Sequence, residues 1–366
     1  MAISQNAAQD VAVILSHRYD QGADWWTTPD RKLLKGAPFT TLESALYLLE
    51  LGVAPEHEAL RGVAQLIFDA WREDGRIRTA PGDLYPCHTA LAANVLCRMG
   101  YTQDARMKRT LHYFLDTRRP DGGWRCEKYS FGHGDETRYS TPYTTLVVLD
   151  LFRQVPGFEG DPRLDQAADF LLAHWEIRRP ISPCHYGIGS RFMQLEYPMR
   201  GYGLFYYVYV LSFYARARSD TRFREALDAL GAKAVNGEMV VERVVPKLSA
   251  LHFCQKGRPS AGATARWHEI LQNLEKDGPG SAKTGPKPLS NRQGCDILPS
   301  ITHLCRPCDC AARVRGGRTG PKQRVEKTRR VNPNGSYLHE AAPGSGRALR
   351  SPDPPLEPQD GSVHLH

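Results

Sequence analysis

The chain reads as all-α, built from repeated helical hairpins and followed by a tail with no folding pattern. Three observations predict this. Two kinds of helical segment alternate along residues 7–275. Trp71, Trp124 and Trp175 mark a beat of roughly 50 residues, a period typical of repeat architectures. No stretch sustains the apolar–polar alternation of a half-buried strand, so little sheet is expected.

The first kind of segment covers residues 7–26, 60–77, 107–124, 164–181 and 223–240. Each places apolar side chains at i, i+3, i+4 and i+7, then charge, and usually a Gly-containing turn such as RPDGGW at 119–124. The second kind covers 40–53, 87–101, 143–155 and 204–217, is apolar nearly all round, and starts near Thr, Ser, Cys or Pro, which suit helix starts. A helix that is apolar all round is buried on both sides. The second kind therefore forms an inner layer and the first an outer layer. About five hairpins result, and periodicity allows them to stack as an open solenoid or close on themselves.

The composition breaks near Asn273. Residues 276–366 hold 15 Lys/Arg and 8 Asp/Glu, so +7 of the formal net charge of +8 lies there, and residues 1–275 are close to neutral. That segment is rich in Gly, Pro, Ser and Arg and cannot bury enough apolar surface to offset its ordering entropy. It is expected to be disordered. Its Cys295, His303, Cys305, Cys308 and Cys310 include one CxxC, but the spacing is irregular for a zinc knuckle. With Tyr337 as its one aromatic residue for stacking bases, it carries no clear nucleic-acid signal. The expected division is a helical domain over 1–275 and a basic tail over 276–366. The first twenty residues lack a basic-then-apolar secretory pattern. No apolar run is long enough to span a membrane, and LFYYVYVLSFY at 204–214 comes nearest, leaving peripheral contact open. Nine cysteines in such a chain read as reduced thiols in the cytoplasm.

Arg109, Tyr113, Phe114, Gly122 and Trp124 fall at the spacing of the QW-type repeat of squalene and hopene cyclases. The chain also resembles the repeats of protein prenyltransferase β subunits. It is most similar in kind to bacterial prenyltransferase and squalene oxidase repeat proteins, through PCHTA, DGGWRC, PCHYGIGS and LFYYVYVLSFY. The likeness covers roughly residues 7–275 and is best over 85–217. It implies an α/α toroid with inner helices around a central cavity, and an enzyme that alkylates or cyclises an isoprenoid. The alternative is a toroid without catalysis that binds a lipid or a protein. The departures are specific. Arg118 stands where the repeat has Gln, there is no DxDD or DDxxD, and Asp83 and Cys87 are four apart where prenyltransferases use Asp-x-Cys. Without an aspartate of raised pKa, alkene protonation lacks an acid.

Four groups are candidate sites. Cys87, His88, Cys126, Cys184 and His185 lie in loops before inner helices, which a toroid gathers at one end. Thiolates and imidazole at such a place are zinc ligands, against the plain reading of small buried residues at helix starts. His133, Asp135 and Glu136 form a polar loop before the third inner helix, either acid/base groups or charges that cap the helix. Tyr202, Phe205, Tyr206 and Tyr209 belong to an aromatic run suited to an isoprenoid chain or a carbocation, or to packing alone. Arg191 and Arg200 flank that run and suit a diphosphate, with Lys247 and Lys256 as further cations, or are surface charge.

Overall fold

Residues 4–276, apart from 127, 130 and 132, are described by a computed structural model, and all of them fall in one compact unit. The tail cysteines and Tyr337 lie outside the described residues. The outer segments form α1 (Gln5–Ser16), α3 (Glu58–Asp69), α5 (Ala105–Thr117), α7 (Pro162–Ile177) and α10 (Thr221–Gly231). The inner segments form α2 (Thr41–Glu50), α4 (Pro86–Arg98), α6 (Pro142–Phe152) and α8 (Leu204–Leu211). A single turn, α9 (Ala215–Arg218), follows α8, and α11 (Ala261–Glu275) ends where the composition breaks. The described residues are thus mostly helical.

Local chemistry explains the boundaries. Three outer helices open on the same device, an Asp at the cap and an Arg two residues on. Asp104, Asp161 and Asp220 accept from the amides of Arg106, Arg163 and Arg222, and each pairs with that same guanidinium at 2.6–2.8 Å. Inner helices α4 and α6 instead start with proline at the first turn, where its missing N–H leaves nothing unpaired. Helix α8 stops at Leu211, short of the periodic stretch to 217. Ser212 Oγ turns back to the carbonyl of Tyr209 at 2.7 Å, and Arg218 donates to the carbonyl of Ser212 at 2.9 Å.

The sequence reading carried an outer segment through 240, and here the structure differs. Asn236–Gly237, both at positive φ, turn a two-residue hairpin between β1 (Ala234–Val235) and β2 (Glu238–Met239). Asn-Gly is the favoured turn for such a hairpin, so this turn chemistry outweighed the helical spacing.

Packing joins the inner helices in sequence. α2 lies on α4, α4 on α6, α6 on α8, and α8 on α11. A charged network that starts at the C-terminal ends of α2, α4 and α6 repeats that order. Arg98 of α4 lies between Glu50 of α2, at 3.8 Å, and Asp150 of α6, at 3.6 Å. Tyr206 of α8 donates to Asp150 at 2.8 Å, and Tyr209 donates to Glu269 of α11 at 2.8 Å. Arg266 of α11 then binds both Glu269 and Glu50, the latter through two nitrogens at 2.9 and 3.0 Å. The series returns to the helix where it began.

The outer layer is joined by glycine turns. Gly75 and Gly122 both have positive φ, and a Cβ on either would meet backbone of the next outer helix. For Gly75 the carbonyl oxygen of Arg109 would lie at 2.7 Å, and for Gly122 that of Gln166 at 2.5 Å. Trp124 fills the space behind the second turn, fully buried, with its indole N–H on the carbonyl of Phe114 at 2.8 Å.

Gly122→Ala combines left-handed backbone with a clash against an adjoining helix, and is expected to destabilise by about 1–3 kcal/mol. Gly82→Ala has the same φ sign with nothing within 4 Å, and should lose less. Urea midpoints compare them. Arg266→Ala leaves the largely buried carboxylate of Glu50 with Arg98 at 3.8 Å and Tyr197 OH at 2.6 Å, and should cost about 1–3 kcal/mol. The exposed pair partner Arg216, mutated to alanine, should cost under about 1 kcal/mol by the same measurement.

Candidate functional site

Three of the predicted cysteines meet. Cys87 sits in the first turn of α4 behind Pro86. Cys126 follows the Gly122–Trp124 turn and is fixed by its amide on Thr141 Oγ1 at 3.0 Å. Cys184 is carried by a tight loop in which Ile181 and Tyr186 exchange backbone hydrogen bonds. Ser182 and His185 within that loop adopt positive φ, a strained backbone state that surrounding structure must hold. The loop is clamped through Phe131 N to Pro183 O at 2.9 Å and Ser182 N to Glu136 O at 2.8 Å.

The Sγ atoms of Cys87 and Cys126 are 2.8 Å apart, and Cys184 Sγ lies 3.4 Å from the carbonyl oxygen of Cys126. Thiol hydrogen bonds from Cys184 and Cys87 hold Cys126 well below the usual thiol range, despite its burial. The same bonds, with burial, push Cys87 and Cys184 up. Of the three, Cys126 is the thiol whose ionised form its neighbours favour. Cys87 and Cys126 are buried and Cys184 is half-buried, so Cys184 is the thiol that solvent reaches.

His88 borders the trio. Lys128 Nζ donates to its Nε2 at 3.3 Å, which leaves Nδ1 to donate to Thr79 Oγ1 at 2.8 Å, with Asp83 at 3.6 Å. Burial and then the charge of Lys128 lower its pKa to about 3, so the ring is neutral. His185 turns the other way, toward Glu136 at 3.5 Å. Two ligands of one tetrahedral zinc would be about 3.8 Å apart, wider than the Cys87–Cys126 contact. Among the described residues no three His, Cys, Asp or Glu side chains are grouped as a metal ion would need.

An aromatic wall stands beside the Cys184 loop. Tyr186 packs on Tyr143 with centroids 5.5 Å apart and on Tyr202 at 5.8 Å, and Tyr202 continues to Phe192 at 4.9 Å. Tyr202 OH meets His174 Nδ1 at 2.7 Å, and His174 Nε2 faces the carbonyl of Arg179 at 3.2 Å. Sequence reasoning named Tyr202 but missed Tyr143 and Tyr186, whose only signal was an aromatic in TPYTTL and in PCHYGIG.

The other candidates separate. Tyr206 and Tyr209 are buried, with their hydroxyls on Asp150 and Glu269 of the charged network, and Phe205 packs on Tyr197. Arg200 is bound to Glu43 of α2, while its carbonyl accepts from Tyr143 OH at 3.2 Å. Arg191, Lys247 and Lys256 are exposed. His133 and Asp135 are exposed, the latter 3.5 Å from Arg138. Asp121, and not the 133–136 loop, holds Ser140 just before α6, through the Ser140 amide and hydroxyl. A surface pocket of about 430 Å³ opens beside Gly122, between Tyr139, Phe170 and Ile181, and the thiols do not line it. No helix among the described residues is long and apolar enough to cross a membrane. No protein-family model matches the chain, and no curated protein matches it.

His174 links this site to pH. Burial lowers its pKa to about 4 in the fold, against roughly 6.5 when unfolded. Between these values the unfolded chain binds the extra proton, so this contribution is full above about pH 6.5 and is lost as pH falls toward 4. His174→Gln should flatten that part of the stability–pH curve, as read by urea unfolding from pH 7.5 to 4.5.

Proposed function

We propose that the chain is an α/α toroid of the prenyltransferase/terpenoid-cyclase-like kind, an enzyme acting in the cytoplasm on an isoprenoid by electrophilic alkylation or cyclisation. One observation carries this reading. The Cys87–Cys126 thiol pair and the aromatic wall of Tyr143, Tyr186 and Tyr202 adjoin where α4, α6 and α8 begin. Aromatic faces suit a polyene chain and stabilise developing positive charge on carbon. A thiolate is the nucleophile that an allylic electrophile would meet, and a ligand for zinc if the Cys87 and Cys126 sulfurs part by about an ångström. The toroid is supported by the polar series through α2, α4, α6, α8 and α11, which returns to Glu50.

A second reading is a toroid without catalysis that binds a lipid or protein, with zinc as a staple. It is favoured by the interior ends of the helices, where Tyr206 and Tyr209 are engaged with carboxylates.

The test is calorimetric titration of the reduced full chain with geranyl, farnesyl and geranylgeranyl diphosphates, alongside diphosphate release and metal analysis. Binding with release is the expected result. Tyr186→Ala should weaken binding by roughly 2–10-fold, the worth of one aromatic contact. Binding without release, together with stoichiometric zinc, establishes the second reading. No binding by folded protein overturns the isoprenoid assignment.

A further inference from the structure

The three thiols have a chemistry that does not depend on an isoprenoid or on a metal. The described residues include five free cysteines, and two of them stand apart from the trio. Cys254 donates to the carbonyls of Leu248 and Leu251, and Cys97 lies on α4 near Asp150, where burial pushes its pKa to about 12. The trio differs in three respects. Two sulfurs touch at 2.8 Å, both are buried, and the third is half-buried at the end of a strained loop. A disulfide needs sulfurs within about 2.05 Å, so the Cys87–Cys126 pair is less than an ångström from bonding distance. Lys128, over the Tyr85 and Tyr129 rings at 6.0 and 5.3 Å, places a positive charge that acts on Cys87, and Arg125 one that acts on Cys184.

We propose that Cys87, Cys126 and Cys184 form a hydroperoxide-reactive redox site whose oxidised product is the Cys87–Cys126 disulfide. Cys184, the thiol open to solvent, attacks one peroxide oxygen. An S–O bond forms, the O–O bond breaks, and the leaving hydroxide takes the thiol proton as water. Cys126 then attacks Cys184, forming an S–S bond and breaking the S–O bond. The hydroxide that leaves takes the Cys126 proton and becomes a second water. Cys87 next displaces Cys184 from Cys126 and passes its proton to the departing Cys184 sulfur. Two thiols lose two electrons in all, and one hydrogen peroxide is reduced to two waters. The product joins the start of α4 to the segment after the Gly122–Trp124 turn. An added dithiol reverses it by exchange.

The experiment uses the full chain, reduced under nitrogen, freed of reductant and analysed for metal, then treated with a small excess of hydrogen peroxide. Remaining thiols are alkylated and peptides mapped by mass. The expected result is a Cys87–Cys126 linkage, with Cys97 and Cys254 alkylated and the linkage reversed by dithiothreitol. Cys184→Ser should slow its formation at least about tenfold, since Cys184 is the thiol of the three that peroxide reaches from solvent. Cys87→Ser should instead accumulate the Cys126–Cys184 linkage. Failure to link any of the three in protein that keeps its helical circular dichroism overturns the proposal. So does linkage of Cys126 to a tail cysteine, or stoichiometric metal that blocks the reaction. None of these outcomes bears on isoprenoid binding, which the titration above reads separately.

Discussion

The inner helices are held in register by charges that are largely withdrawn from bulk water, Asp150 wholly and Glu50 nearly so. Glu50 and Asp150 lie at or near the ends of largely apolar helices, and burial alone would push both carboxyls up. The guanidinium groups of Arg266 and Arg98 around Glu50, and of Arg153 and Arg98 around Asp150, outweigh burial and hold both ionised. A buried carboxylate without its cation is far costlier than a missing apolar contact. A slip of one helix by a turn would therefore strand a charge, whereas leucine against leucine would tolerate it. Apolar packing supplies most of the stabilisation, and the charges select one arrangement.

The same requirement for close backbone approach builds the outer layer and places the thiols. Gly122 lets the chain turn against the carbonyl of Gln166, and Trp124 anchors behind it. The amide of Trp124 takes Thr145 Oγ1 at 3.1 Å, and its carbonyl accepts from Thr141 N at 2.8 Å. Two residues on, Cys126 takes Thr141 Oγ1. The turn thus fixes the entry to α6 and the position of Cys126 together. A change that loosens the repeat junction would also loosen the thiol trio, so stability and chemistry are coupled at this point.

Sequence reasoning found the two layers because burial on one or both sides leaves a different apolar period, and period is a local property. It also placed Cys87, Cys126 and Cys184 together, because loops before inner helices had to gather if the repeats packed in order. It could not see the charged network. Glu50, Arg98 and Asp150 are isolated charges on largely apolar helices, and an isolated charge carries no period. The Asp-x-Arg caps at 104, 161 and 220 were readable as a repeat, since their spacing matches that of the outer helices. The Asn-Gly hairpin was readable from turn chemistry and was masked by the apolar spacing around it. His185 was grouped with Cys184 by adjacency, yet the positive φ at His185 turns it toward Glu136. Neighbours in sequence need not share a site when the backbone between them reverses.

The two ends of the inner helices carry opposite assignments. At the C-terminal ends nearly every polar atom of the network has an ionic partner, and the tyrosine hydroxyls are taken by carboxylates. At the N-terminal ends Arg200 pairs with Glu43 of α2, but around α4, α6 and α8 Cys126 has thiols for partners, His88 is neutral, and Tyr143 and Tyr202 bond to neutral groups. Ion pairs between fixed charges resist rearrangement, because each partner would be left buried and alone. Thiol contacts exchange at little cost, because sulfur is soft and weakly solvated. Chemistry that needs atoms to change partners therefore belongs at the end where sulfur and aromatic faces collect, with the charged end serving to keep α4, α6 and α8 aligned beneath it.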